Sequence, residues 1–182
     1  MPAAVVVGLL GAALAAALMT LLVFGLIRRA GRPMTGIGPF ERTFDLTINY
    51  LSHYLLAALL LSPLLGLTTG NPVAILVLPV LHFFAAIPIL PGAFVICYVG
   101  DRRLKRTWSR ARAWVAAVLT VVGMWLLSFG MILGKPGPPE LLVALGGEKL
   151  AIIAEVASVP MSAAAVSLTL AWLLPSRVRA IQ

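Results

Sequence analysis

Charge is scarce in this chain. Asp, Glu, Lys and Arg together make up 11% of its 182 residues, and only six of them are acidic. A soluble domain carries about 25% charged and about 45–50% apolar residues. Here the hydrophobic share is 61% and the mean hydropathy is +1.04, which excludes an ordinary water-soluble domain and points to the bilayer.

Cysteine is nearly missing as well. With Cys97 alone there can be no intrachain disulfide, no zinc-binding cysteine pair and no CxxC redox couple. Histidine occurs twice, at His53 and His82, and no HExxH, nucleophile elbow, phosphate loop or catalytically spaced carboxylate pair is present. No catalytic residue and no metal site is therefore expected.

What the chain does have is long apolar runs. A helix needs about 20 apolar residues to cross about 30 Å of hydrocarbon. Five runs reach that length: residues 3–27, 46–67, 73–99, 113–133 and 150–174. In the first run, Arg28 and Arg29 follow the apolar stretch instead of preceding it. The run is also too long for a signal-peptide core, so it reads as a retained helix. LLVALGGEKL, around residues 140–149, is too short to span and is expected to lie in the interface. The predicted fold class is all-α integral membrane: one transmembrane domain over residues 1–182, built as a bundle of five transmembrane helices.

Orientation follows from the basic residues. Twelve of the fourteen lie in the loops after the first and third runs and in the C-terminal tail, whereas Lys135 and Lys149 lie on the other side. The positive-inside rule then puts the N-terminus outside and the C-terminus in the cytoplasm of a bacterial-type inner membrane. This clustering accounts for the net charge of +8 without nucleic acid as a partner. Phe40, Phe44, Tyr50, Tyr98, Trp108, Trp114 and Trp172 fall near the same boundary, and Tyr50 with Tyr54 reads as a pair of interfacial anchors. Asp101, in GDRRLKR, is expected to be solvated beside its arginines.

A few polar residues interrupt the apolar runs. Asp45, Asn49, Ser52 and His53 recur at spacings of three and four, which predicts a polar stripe facing protein or water. His53 and His82 sit on antiparallel helices joined by a short turn, at depths differing by about 5 Å. Two histidines placed so are candidate cofactor ligands for haem b or a quinone, or else buried, hydrogen-bonded packing residues. Glu155 is the one acidic side chain well inside a run, and with Asn49 and Ser52 it is a candidate for a substrate or proton path. Pro79, Pro88 and Pro91 should bend the third run, either to line a cavity or as part of a structural bundle.

Small residues mark further faces. Gly8, Gly11, Ala12, Ala15 and Ala16 do so in the first run, and Ala154, Ser158, Ser162 and Ala163 to Ala165 in the last. Such faces permit close helix approach. The leading functional expectation is a non-catalytic subunit of a membrane complex or homo-oligomer, with membrane lipids and other subunits or copies of itself as partners. The alternatives are a small-solute, ion or proton transporter or channel component, and a redox subunit binding haem or quinone through His53 and His82.

Overall fold

The computed structural model describes residues 38–68, 72–104, 108–134 and 140–174, with scattered helical positions between 13 and 28. The expected first span, residues 3–27, and its small-residue face lie largely outside the described residues.

Four helices make up the rest: α1 (Pro39–Thr68), α2 (Pro72–Leu104), α3 (Arg110–Gly134) and α4 (Glu140–Leu173). Among the described residues there is no strand. Each helix contains a stretch long and apolar enough to cross a membrane: Pro39–Leu64, Val77–Leu104, Arg110–Ser128 and Ile152–Leu173.

Both α1 and α2 open on proline, whose fixed φ suits the first helical turn and whose missing N–H costs nothing there. α1 begins seven residues earlier than hydropathy predicted. The segment PFERTFD is too polar to look like a span, yet Thr43 in it is buried while Arg42 and Asp45 face outward. Hydropathy tracks lipid exposure, and this turn faces protein on one side only. Arg102 and Arg103 close α2, where cations interact favourably with the helix C-terminus.

The short 140–149 segment and the last span form one element with a break at Gly147, where φ is 75° and ψ is 172°. That conformation is open essentially to glycine alone, so Gly147 sets where the two pieces part. Pro63, Pro79, Pro88, Pro91 and Pro160 lie inside helices. In a bundle, neighbouring helices and local adjustment re-satisfy the backbone groups they free.

α1 packs on α2 and α3, and α4 packs on the same two, so α1 and α4 occupy opposite corners of a four-helix arrangement. The helices alternate in direction. The start of α1, the end of α2, the start of α3 and the end of α4 therefore meet at one end, which carries Arg42, Arg102, Arg103, Arg110 and Arg112. An Arg42–Asp101 ion pair of 3.0 Å ties α1 to α2 there. Asp101 is accordingly paired and only 12% exposed, not solvated as the sequence suggested.

The core joins large side chains from α1 and α4 to small ones from their neighbours. Tyr50, Tyr54, Leu168 and Trp172 pack with Ala93, Cys97, Ala116 and Ala117. Outward-facing positions carry Leu60, Leu81, Phe84, Ile87, Leu126 and Val166, an apolar exterior suited to lipid.

Gly100 is buried against Trp172, and a Cβ there would overlap the indole ring. Gly100→Ala is expected to destabilise the bundle by about 1–3 kcal/mol, the usual cost of overpacking. Gly92, whose Cβ direction is open, serves as the control. Gly92→Ala should be neutral or stabilising by up to about 1 kcal/mol through helix propensity. Thermal unfolding of both variants in detergent measures the difference.

Candidate functional site

The polar side chains of α1 converge on the middle and the basic half of the bundle. Thr43 donates to the Pro39 carbonyl at 2.9 Å, Thr47 to Thr43 at 2.8 Å and Ser52 to Ile48 at 2.7 Å. These bonds return to the helix's own backbone and satisfy hydroxyls that have no water to turn to.

The longer side chains reach across. Tyr50 and Tyr54 are both fully buried, so neither is the interfacial anchor that the sequence suggested. The Tyr50 hydroxyl lies 2.9 Å from Thr120 Oγ1 on α3. Thr120 spends its own proton on the Ala116 carbonyl at 2.8 Å, so Tyr50 is the donor of the pair.

The Tyr54 hydroxyl sits among three partners: His82 Nδ1 at 2.9 Å, the His82 carbonyl at 3.2 Å and Met124 Sδ at 3.3 Å. A phenol has one proton to give. With hydrogen on His82 Nε2, Tyr54 donates to Nδ1; with hydrogen on Nδ1, the ring donates and the phenol turns to the carbonyl or the thioether. The Tyr50 and Tyr54 rings are stacked with centroids 6.3 Å apart, and His82 meets Tyr54 edge-on at 5.8 Å. Together they join α1, α2 and α3.

His53 has different surroundings. Its Nδ1 lies 2.7 Å from the Asn49 carbonyl, which can only accept, so Nδ1 carries the proton and Nε2 is left as an acceptor. The ring stands edge-on to Trp114 of α3 at 5.3 Å. The described hydrogen bonds and ring contacts of His53 and His82 therefore go to different residues, although the two lie on adjacent helices. Each is held by its own set of contacts.

The remaining predicted path residues are not gathered in one place. Asn49 is buried and its Oδ1 accepts from Trp108 Nε1 at 3.2 Å. Ser52 is occupied by its own helix. Glu155 lies half-buried on α4, three residues into the Ile152–Leu173 span and so near the end opposite the arginines. Its backbone carbonyl accepts from Ser158 at 2.7 Å, and among the described residues no ion pair joins its carboxylate to Lys149. Asp45, grouped with the polar stripe by spacing, faces outward instead.

Sequence reasoning missed the partners. Thr120 is the only hydroxyl in AWVAAVLTVVGMW, which was a usable signal. Trp108 and Met124 gave none, because nothing local marks them as hydrogen-bond partners. Arg112 was counted as a loop charge. It is buried and donates from Nη2 to the Leu174 carbonyl at 2.7 Å, so it closes the C-terminal end of α4 against the start of α3.

Comparison with protein-family models, with curated proteins and with solved structures finds no match to this chain.

The Tyr54–His82 contact is open to a double-mutant cycle. Tyr54→Phe, His82→Leu and their combination, unfolded in detergent, are expected to give a coupling energy of about 0.6 kcal/mol and at most about 1.7, the range for hydrogen bonds between membrane helices. A coupling of zero would mean that the two side chains only pack.

Proposed function

We propose that this protein is a non-catalytic, multi-pass subunit that works within a membrane complex or as a homo-oligomer. The observation that carries the reading is the division of α4 into two faces. Ala163, Ala164, Ser167, Leu168, Ala171 and Trp172 turn into the core, while Ser158 and Ser162 are exposed and Ala154 is half-exposed beside them. Small side chains at four-residue steps let another helix approach closely, and this row lies outside the core that the other three helices build with α4. The polar residues of α1 meanwhile serve as cross-links between helices, the use expected of a structural bundle.

Five spans, with the basic end in the cytoplasm and the N-terminus outside, complete the proposal, in a bacterial-type cytoplasmic membrane. The arginine-bearing ends of α1, α2 and α3 lie together, beside the C-terminal end of α4, an arrangement that fits the positive-inside rule for an alternating topology. Cys97 is buried and should stay silent to thiol reagents, which makes labelling practical. In intact cells an impermeant maleimide is expected to label Lys149→Cys and to spare Ala180→Cys. The reverse pattern would invert the topology.

The native mass in mild detergent tests the subunit reading. The protein should run as a multiple of its 19.2 kDa chain or with copurified partners, and Ser158→Leu/Ser162→Leu should shift it toward a single chain. A wild type that runs as one chain and does not respond to the substitutions would sink the reading.

One observation favours a second reading, an ion or proton path. Glu155 places a carboxylate inside a span beside the open face of α4, and intramembrane acids are commonly functional. That reading expects Glu155→Gln to abolish flux in proteoliposomes while the native mass is unchanged.

A further inference from the structure

At the arginine-bearing end, between α2 and α4, lies a groove of about 250 Å³. Val95, Val99, Gly100, Arg103, Trp172 and Leu173 are among the residues that line it. The missing side chain of Gly100 lets the Trp172 indole press against α2 and form part of the wall. Val95, Val99 and Leu173 are exposed, so the groove opens on the outer, apolar surface of the bundle.

Its polarity runs one way. α2 and α4 both travel toward the basic end, so Val95 is the deep end of the groove and Arg103 the outer end, about 12 Å away at 1.5 Å per residue. The walls below are apolar, and the mouth carries a guanidinium.

Three of the described cations at this end are already engaged. Arg42 holds Asp101 at 3.0 Å, Arg102 stands 6.0 Å over the Tyr98 ring, and Arg112 donates to the Leu174 carbonyl. Because Asp101 is taken by Arg42, no described acid neutralises Arg103, which forms no ion pair among the described residues. A guanidinium presents a planar fork of donors that matches phosphate oxygens.

We propose that this groove binds one anionic phospholipid, with an acyl chain along Val95, Val99 and Leu173 and the phosphate on Arg103. The bilayer supplies acyl chains to every outward-facing groove, and the cationic mouth chooses among headgroups. A zwitterionic lipid would bring its own cation against the arginine cluster, whereas an anionic one completes it. The proposal does not rest on the subunit reading, whose residues Ser158 and Ser162 do not line the groove and lie farther from the basic end of α4.

The test is native mass spectrometry of the full-length protein after equilibration with mixed vesicles of phosphatidylglycerol and phosphatidylcholine. The wild type is expected to retain one phosphatidylglycerol in preference to phosphatidylcholine. Arg103→Gln should reduce that preference about fivefold, the effect of one cation near a membrane surface. Val99→Trp should fill the groove and remove the adduct with the charge intact, and Arg110→Gln, on α3, should change nothing. Both lining positions are exposed, and circular dichroism confirms that the variants stay helical. Equal retention of the two lipids, an equal loss in Arg110→Gln, or an adduct that survives Val99→Trp would each overturn the site.

Discussion

A polar side chain inside a span has no water to bond with, and the rest of this bundle is arranged around that constraint. Tyr50, Tyr54 and Asn49 all lie on α1, and α1 cannot satisfy their ends by itself. Thr120, His82 with Met124, and Trp108 complete them, from α3, α2 and the segment before α3. These bonds fix the rotation of α1 about its own axis, since turning it would strand each of them in hydrocarbon at a cost of several kcal/mol. Shorter hydroxyls at Thr43, Thr47 and Ser52 avoid the problem by bonding backward to their own helix.

With the hydrogen bonds setting orientation, size complementarity sets distance. Between membrane helices the hydrophobic effect offers no net drive, so close van der Waals packing must supply cohesion. Trp172 and the tyrosines project into positions where the facing helices carry glycine, alanine or cysteine. The same economy explains why Gly100 has no side chain and why Ala163 approaches Gly123. Arg42–Asp101 and Arg112–Leu174 then fasten the basic end, where the protein passes from hydrocarbon to headgroups.

What this architecture leaves uncommitted falls on α4 and beside it. The outer side of α4 carries the small residues Ser158 and Ser162, and toward the basic end α4 shares with α2 a groove that ends in a guanidinium. Both features depend on α4 contributing only part of its circumference to the core.

Composition and run length were enough for a helical, membrane-spanning chain, because the hydrocarbon thickness imposes a length and the absence of water imposes helix, whatever the neighbours are. The clustering of arginines likewise announced a basic end before any helix was placed. Partnership was not legible. Tyr50 and Tyr54 look like interfacial anchors by position and are core residues by contact. Asp101 looks solvated and is paired, and His53 and His82 look like a pair by depth while their described hydrogen bonds go to different partners. Each of these depends on which side chain a second helix brings to the same depth, and no local stretch of sequence encodes the rotation and spacing of helices that pack from a distance along the chain.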